Sequence, residues 1–293
     1  MTRTSRILAA AAAFLALGAC SPLSLFATLT PQDHAPREAR GVAYGADPRQ
    51  KLDVYAPPGA GAGLPVAVFF YGGSWSAGRR QDYAWAGRSL AAEGFLTVAP
   101  DYRIYPQARF PAFLEDGALA LRWVQDNAAA YGGDPARIVL VGHSAGAYNA
   151  VMLALDSRYL RAAGVDPARI RAAAGLSGPY DFLPLEGRTT PRIFGAAADL
   201  SQTQPVVMAR PGAPPMFLAT GADDRLVGPY NTRNLAQALR AQGGLVEERV
   251  YPHMAHVGAV LALSRPFRGR SALRADLASF LHRHTASTLA GPR

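Results

Sequence analysis

At residues 142–146 the chain reads Gly-His-Ser-Ala-Gly, and this stretch decides the fold because it joins a predicted strand to a predicted helix. It follows the apolar run Arg137-Ile138-Val139-Leu140-Val141, which is typical of a buried strand, and it leads into residues 145–155, which are typical of a helix. Only residues without bulk fit beside a serine on so tight a turn. In this setting the pentapeptide is the G-x-S-x-G nucleophile elbow, so we expect Ser144 to be exposed and placed to attack.

Strand and helix patterns alternate on both sides of this turn. The predicted strands are 42–44, 52–55, 65–71, 95–100, 138–141, 170–176, 216–220 and 246–251. The predicted helices are 83–93, 113–131, 145–155, 231–241 and 273–282. Such alternation indicates right-handed βαβ units and a mostly parallel sheet covered on both faces. We therefore predict an α/β fold of about eight strands, formed by one domain over residues 41–284 and followed by a short tail, 285–293.

The overall composition favours a compact globular domain, and its charge pattern does not indicate a nucleic-acid-binding protein. Hydrophobic residues make up 49% of the chain and charged residues only 17%, a balance that argues against disorder. The net charge of +9 comes almost wholly from arginines, since Lys51 is the sole lysine. These arginines are scattered and form no basic stripe with interleaved aromatic residues. We expect no nucleic-acid partner.

The first twenty residues have the pattern of a bacterial export signal. Arg3 and Arg6 precede an apolar run over residues 7–17, which is too short to span a bilayer but suits a secretory signal peptide. The segment ends in Leu17-Gly18-Ala19-Cys20, which resembles the lipobox of lipoproteins, and Cys20 is the only cysteine. We predict a lipoprotein-type signal peptide over 1–19 and a membrane anchor through lipidated Cys20.

This reading places the protein at the cell envelope, facing the periplasm. Ser21, which follows the cysteine, resembles the residue found in lipoproteins sorted to an outer membrane. Residues 20–40 contain three prolines and little periodicity, and are predicted to tether the domain to the anchor. The alternative is ordinary signal cleavage beside a bystander Cys20, which would give a soluble periplasmic or secreted protein.

A serine hydroxyl needs a base, and the base needs a partner that fixes its tautomer. Two adjacent carboxylates, Asp223 and Asp224, follow the predicted strand 216–220. Two histidines, His253 and His256, follow the next predicted strand. Because the carboxyl ends of parallel strands meet at one edge of the sheet, both pairs are candidates to reach Ser144.

The stretch Phe70-Tyr71-Gly72-Gly73-Ser74-Trp75 follows another predicted strand and is a candidate oxyanion loop. Its glycines leave backbone amides open to a ligand. We expect the amides of Gly73 and Ser74 to act with that of Ala145, the residue after the nucleophile, on the negative charge that forms when a serine adds to a carbonyl.

Several motifs together resemble one known family. They are Tyr71 to Trp75, Asp101-Tyr102-Arg103, Phe110-Pro111, Asp116, Tyr131-Gly132-Gly133-Asp134-Pro135 and Gly142 to Gly146. Over roughly residues 41–284 the chain resembles the α/β-hydrolase esterases related to hormone-sensitive lipase. Within them it is similar to the branch that has feruloyl/acetylxylan-esterase-like, kynurenine-formamidase-like and isoprenylcysteine-methylesterase-like members. The resemblance implies the α/β-hydrolase fold. Residues 178–215 are too rich in proline and glycine for a core and too short for a large cap domain, so we predict a small lid there.

The resemblance also selects the acid and the base. The family's Gly-x-x-Asp-x-x-Val pattern fits Gly221, Asp224 and Val227, which favours Asp224 over Asp223. His256 has the position of the family's histidine, and His253 is the alternative. The order Ser144, Asp224, His256 is that of α/β-hydrolases. The chain departs from the family pattern at Tyr71, often a histidine, and at Ser74, often a third glycine, but neither change removes a backbone amide.

The resemblance gives one further segment a supporting role, and residue type and spacing give two more limited expectations. The Asp101-Tyr102-Arg103 segment is expected to brace the oxyanion loop, although Arg103 could instead contact an acidic substrate. Aromatic and apolar side chains that could line an acyl or alcohol pocket are Trp75, Phe182, Leu183, Phe194 and Tyr230. No His, Cys, Asp and Glu grouping has metal-ligand spacing, so we expect no metal and no cofactor.

The function implied is hydrolysis of small or short-acyl carboxylic esters through a Ser-His-Asp triad and an acyl-enzyme, with a small-molecule ester as the partner. Amide or formamide cleavage, as in kynurenine-formamidase-like members, would use the same residues, and the sequence does not separate the two. A third hypothesis is a non-catalytic binding protein of the envelope, because folds are reused without their chemistry.

Overall fold

A computed structural model describes residues 22–286 of the chain. The predicted signal peptide, Cys20 and most of the predicted C-terminal tail lie outside these residues. Lipidation and export therefore stay predictions, which the mass of the mature N-terminus would test. Within residues 22–286, no helix is long and apolar enough to cross a membrane.

The described residues alternate strands and helices, as the sequence predicts. The strands are β1 (Arg37–Ala43), β2 (Lys51–Tyr55), β3 (Leu64–Phe70), β4 (Leu96–Pro100), β5 (Gly133–His143), β6 (Ile170–Leu176), β7 (Met216–Gly221) and β8 (Val246–Tyr251). The helices are α1 (Pro22–Leu29), α2 (Ala84–Ala92), α3 (Ala112–Asn127), α4 (Ala145–Leu155), α5 (Ser157–Ala162), α6 (Thr190–Phe194), α7 (Tyr230–Ala241), α8 (His256–Leu261) and α9 (Leu273–Thr285).

These strands form one sheet in the order β1-β2-β4-β3-β5-β6-β7-β8. The pairings of β1 with β2 and of β2 with β4 are antiparallel, and all pairings from β4 to β8 are parallel. The predicted α/β-hydrolase architecture is confirmed. Since the parallel strands all point the same way, the loops after β3, β5, β7 and β8 gather at one edge of the sheet.

The centre of the sheet is buried on both faces, which explains its unbroken apolar runs. In β5 every residue from Ile138 to His143 is buried. Helix α4 is also buried along its whole length, as its composition of Ala, Val, Leu and Met allows. The second half of β5 and the whole of α4, which flank residue 144, are therefore fully buried. At the edge, β8 instead carries Glu247, Glu248 and Arg249, and charges of this kind discourage pairing with another chain.

The N-terminal segment differs from the predicted tether over residues 20–40. Residues 22–29 form α1, and β1 begins at Arg37 rather than near residue 42. Helix α1 packs on the domain through Phe26. The Phe26 ring lies 5.4 Å from the ring of Trp85 and 6.2 Å from that of Phe267. An ion pair of 2.8 Å between Asp33 and Arg268 holds the segment after it. Tertiary contacts thus order a stretch whose prolines and weak periodicity indicate a linker.

The segment over residues 178–215 lies after β6 and contains α6 and two short 3₁₀ helices, Leu200–Thr203 and Pro205–Met208. Its proline and glycine content predicts a lid without a core, but several of its side chains are fully packed. Tyr180 and Phe194 are completely buried. The segment is therefore a part of the domain's core, which its composition does not predict.

Candidate active site

Ser144 lies on a strained turn between β5 and α4. Its φ of 55° and ψ of −123° fall in a region that residues with a side chain rarely adopt. A Cβ at position 142 would collide with the carbonyl oxygen of Gly146, and a Cβ at 146 would collide with that of Phe70. The two glycines are thus required by close backbone contacts. The serine is only 9% exposed, which is less than the motif predicts, and it lines a cavity.

His256 is the first residue of α8, and its side chain contacts Ser144. Its Nε2 lies 2.9 Å from Ser144 Oγ, and its Nδ1 lies 2.8 Å from Asp224 Oδ2. The carboxylate accepts from Nδ1–H, so Nε2 is left to accept the proton of the serine hydroxyl. The geometry therefore brings together the nucleophile, base and acid candidates in one hydrogen-bonded chain. His253, the alternative base, is exposed.

Asp224 is held by its own loop after β7. Its Oδ1 accepts hydrogen bonds from the amides of Leu226, at 3.1 Å, and Val227, at 2.9 Å. Burial by itself raises the pKa of the carboxyl, but the hydrogen bonds from His256 and Val227 outweigh this and hold the pKa below its ordinary value. Asp224 is thus an anion at neutral pH. The neighbouring Asp223 is exposed to solvent.

The candidate oxyanion loop follows β3 in a tight turn. Gly73 has a φ of 140°, and its carbonyl oxygen accepts from the amides of Ser76, at 3.0 Å, and Ala77, at 2.9 Å. A Cβ at Gly73 would collide with the carbonyl of Ala77. Among the hydrogen bonds of residues 22–286, none is donated by the amides of Gly73, Ser74 or Ala145. Of the three, Ser74 and Ala145 also line the cavity beside Ser144, and Gly73 precedes Ser74 in the same turn.

Two stacked tyrosines brace this loop from behind. The rings of Tyr71 and Tyr102 lie 4.8 Å apart, and the Tyr102 hydroxyl donates to the Tyr71 carbonyl at 2.7 Å. Arg49 joins them, donating to the Tyr71 hydroxyl at 2.9 Å and to the carbonyls of Tyr102, at 2.9 Å, and Gly78, at 2.7 Å. Arg49 is a supporting residue that sequence reasoning missed, because it lies in the turn before β2 with no motif around it.

The charged residues near the oxyanion loop form ion pairs with one another. The Arg80 side chain pairs with both Asp53 and Asp101. Arg103 pairs with Asp116 at 2.8 Å, so its guanidinium is engaged by this chain's own carboxylate. The expectation that residues 101–103 support the oxyanion loop agrees with these contacts, whereas the alternative of a substrate contact by Arg103 gains no support from them.

His143, at the variable position of the elbow, is buried beside the base. Its Nε2 lies 3.2 Å from the carbonyl oxygen of His256, and the two rings are 5.0 Å apart. Within the described chain, its Nδ1 has no hydrogen-bond partner. Burial and, secondarily, the nearby His256 lower the pKa of His143 to about 3. A neutral His143 with its proton on Nε2 therefore donates to the backbone of His256 and restrains the start of α8.

This burial of a neutral histidine makes stability depend on pH. Between about pH 6.5 and 3, His143 is protonated in the unfolded chain but stays neutral in the folded chain. Because the unfolded chain then binds one more proton, the free energy of unfolding falls as the pH falls. The slope from one such group is at most about 1.4 kcal/mol per pH unit. We expect His143→Gln, which keeps an amide donor, to reduce the loss of stability between pH 7 and pH 4 by up to about 3 kcal/mol in urea unfolding.

The exposed His253 provides the matched control for this prediction. His253→Gln is expected to leave the pH dependence of unfolding as in the parent chain. Identical pH dependences for both variants and the parent would contradict the assignment of a buried neutral histidine at position 143.

A cavity of about 210 Å³ opens beside Ser144. Its apolar lining is formed by Trp75, Pro179, Phe182, Leu226, Val227 and Tyr230. Among the described residues, no Asp, Glu, Lys, Arg or His side chain lines it. Of the five side chains expected to form a pocket, three lie here, whereas Leu183 and Phe194 do not. The cavity is thus small and uncharged.

Trp75 forms one wall of this cavity and is fixed in several directions. Its indole Nε1–H donates to Asn149 Oδ1 of α4 at 3.0 Å. Its ring stacks on Phe113 at 5.7 Å and meets the edge of Tyr148 at 5.2 Å. The oxyanion loop and the helix that follows the nucleophile are therefore tied together through one tryptophan. Within residues 22–286, no group of three His, Cys, Asp or Glu side chains could hold a metal ion.

Known proteins resemble this chain in sequence and in fold. The family described as BD-FAE matches residues 52–239. A probable isoprenylcysteine alpha-carbonyl methylesterase from Oryza sativa subsp. japonica is 31% identical over 86% of this chain and 64% of its own length. Carboxylesterase NlhH from Mycobacterium tuberculosis is 38% identical over 41% of this chain and 38% of its own. The chain spans just under two thirds of the plant methylesterase it matches.

Solved esterase structures share the fold at low sequence identity. Esterase B from Lactobacillus rhamnosis superposes with a TM-score of 0.77 and 19% identity, covering 96% of each chain. A truncated carbohydrate esterase from gut microbiota gives a TM-score of 0.73 and 20% identity, covering 88% of this chain and 99% of that one. At such identities the likeness concerns the fold alone.

Proposed function

The chain belongs to the BD-FAE family, in the hormone-sensitive-lipase-related branch of the α/β-hydrolase esterases, and from this premise we propose that it is a serine carboxylic-ester hydrolase. One observation carries the proposal. Asp224, His256 and Ser144 form a continuous hydrogen-bonded chain, with distances of 2.8 and 2.9 Å, next to free backbone amides. Nucleophile, base, acid and electrophilic donors are the parts that acyl transfer requires.

In the proposed reaction, Ser144 Oγ attacks the ester carbonyl carbon while His256 Nε2 takes the hydroxyl proton. Asp224 keeps the proton of Nδ1 in place and stabilises the imidazolium that forms. The amides of Gly73, Ser74 and Ala145 donate to the oxyanion, each removal of such a donor costing on the order of 3 kcal/mol. His256 then protonates the departing alkoxide oxygen, which leaves an acyl-serine.

Water completes the cycle by the same route in reverse. His256 accepts a proton from the water as its oxygen attacks the acyl carbonyl, and then returns that proton to Ser144 Oγ as the carboxylic acid leaves. Each proton removed is returned by the same nitrogen. The residues of this chain therefore suffice for the reaction, with no cofactor in any step.

The cavity beside Ser144 supports a small and neutral substrate. Its volume of about 210 Å³ lies below the range of roughly 300 to 1,000 Å³ usual for sites that hold drug-sized ligands. Its apolar lining offers no charged side chain to pair with an ionised substrate, and an unpaired charge is costly to bury. These features favour short, uncharged acyl groups.

We expect p-nitrophenyl acetate and butyrate to be hydrolysed by the full chain with a kcat/KM at least about tenfold above that of the decanoate, because methylenes beyond the cavity have no apolar partner there. Initial rates at several substrate concentrations give the comparison. An activity that rises steadily from acetate to decanoate would contradict a short-acyl site.

The formamidase alternative is tested in the same assay. N-formylkynurenine carries an ammonium and a carboxylate, which the uncharged cavity cannot pair. We expect its kcat/KM to be at least about 100-fold below that of p-nitrophenyl acetate. A higher value for N-formylkynurenine would reassign the site to formamide hydrolysis.

A further inference from the structure

A second and larger cavity lies behind the wall of the catalytic one. This outer groove has a volume of about 820 Å³ and is bounded by helices α3 and α5 and by the chain just after α6. Small side chains dominate its lining, namely Ala118, Ala162, Ala163, Ala196, Ala197 and Ala198. Phe110 and Tyr159 add aromatic surface, and the polar side chains of the lining are Glu115, Arg158, Asp199 and Gln202. The exposed surface of the outer groove is thus mostly apolar, which suits a hydrocarbon chain.

Helix α6 separates the two cavities. Thr189 and Thr190, at its beginning, line the catalytic cavity. Ala196, Ala197 and Ala198, just after its end, line the outer groove. The five residues of α6 therefore carry the chain from one cavity to the other.

Phe194, the last residue of α6, fills the space between them. Its ring is completely buried and meets the edges of Trp75, at 4.9 Å, and Phe182, at 5.2 Å, two side chains that line the catalytic cavity. The ring also lies 5.6 Å from that of Phe110, which lines the outer groove. One phenyl ring thus touches walls of both cavities.

We propose that Phe194 is the specificity-determining residue that sets the acyl-length limit of this esterase, by closing the catalytic cavity against the outer groove. Long acyl chains are excluded because the ring stands where their distal methylenes would continue. Removing the ring joins the two cavities and lets these methylenes enter the alanine-lined groove. This inference rests on the proposed ester hydrolysis.

The test compares acyl-chain profiles of the full chain and of Phe194→Ala on p-nitrophenyl esters from acetate to decanoate. We expect the ratio of kcat/KM for decanoate over acetate to rise at least about tenfold in the variant, mainly through a lower KM for decanoate, since burial of added methylenes is a binding effect. Phe194→Leu, which preserves packing better, is expected to shift the ratio in the same direction by a smaller factor.

A blocking substitution makes the test specific to the groove. Ala162 is exposed on α5 and lines the outer groove without touching the catalytic cavity. We expect Ala162→Trp alone to keep the parent profile, and Phe194→Ala with Ala162→Trp to lose most of the gain on decanoate.

The outcomes separate the two proposals. Unchanged ratios in Phe194→Leu, or in a folded Phe194→Ala, with acetate hydrolysis retained, would overturn the role of Phe194. A gain that survives Ala162→Trp would also overturn it, because the added chain would then lie elsewhere. If the parent chain hydrolyses no acyl ester faster than Ser144→Ala does, the proposed function fails, whatever the profile of the variants.

Discussion

Replacing Ser144 with alanine is expected to lower kcat for p-nitrophenyl acetate by roughly 10⁴- to 10⁶-fold, since the hydroxyl is the atom that forms the acyl-enzyme. The residual rate would come from the amides and the cavity, which remain in place. Alanine removes one oxygen from a turn whose shape is set by Gly142 and Gly146, so the variant should fold. Steady-state hydrolysis, together with labelling by a fluorophosphonate probe, measures the effect.

Ser76→Ala is the matched control for this substitution. Ser76 is exposed, and only its backbone amide contributes to the turn of the oxyanion loop. We expect its rate and its labelling to stay within about twofold of the parent, as for most exposed sites away from special features. Equal hydrolysis by the parent chain and Ser144→Ala would remove the nucleophile from the proposal, and with it the acyl-enzyme. Loss of labelling confined to Ser144→Ala would locate the reactive oxygen.

Asp224→Asn is expected to lower kcat by about 10³- to 10⁴-fold with little change in KM. An amide at this position can donate to His256 Nδ1, which places the ring proton on Nε2 and prevents that nitrogen from accepting the serine proton. The amide also leaves the imidazolium without its counter-charge. Rates across the pH range separate this effect from a change in substrate binding.

The adjacent Asp223 makes a sharp comparison, because the same chemical change is made one residue away. Asp223 is exposed, whereas Asp224 is buried and bonded to His256. Asp223→Asn should retain activity within about twofold of the parent. A loss in Asp223→Asn as large as that in Asp224→Asn, or a larger one, would contradict the assignment of the acid. Thermal unfolding of both variants checks that the comparison is made between folded proteins.

The sequence predicts the parts of the site that are encoded locally. Ser144, the glycines around it and the order of acid and base all lie in short motifs after strands, and parallel strands bring such motifs to one edge. The α/β architecture follows for the same reason, since each element carries its own periodicity. The choice of Asp224 and His256 needed the family's patterns as well, because two carboxylates and two histidines are available.

Other features depend on contacts between distant segments, which no local pattern records. Arg49 reaches the Tyr71 hydroxyl across 22 positions of sequence, from a turn with no motif. In the sequence, His143 is only the variable residue of the elbow motif, and the fold alone places its ring beside the His256 carbonyl. Phe194 is predicted as pocket lining, and only the packing of α6 against Trp75 places it behind the pocket wall.

The docking of α1 has a practical consequence for any shortened form of the protein. Phe26 contacts both Trp85 and Phe267. Trp85 follows the oxyanion loop in sequence, and Phe267 follows the helix that begins with His256. Trimming the chain to start at Gly41 would uncover both rings and remove the first half of an edge strand. The elements that follow the oxyanion loop and the helix of His256 would then lose a shared packing partner, so the N-terminal boundary for expression belongs ahead of Pro22.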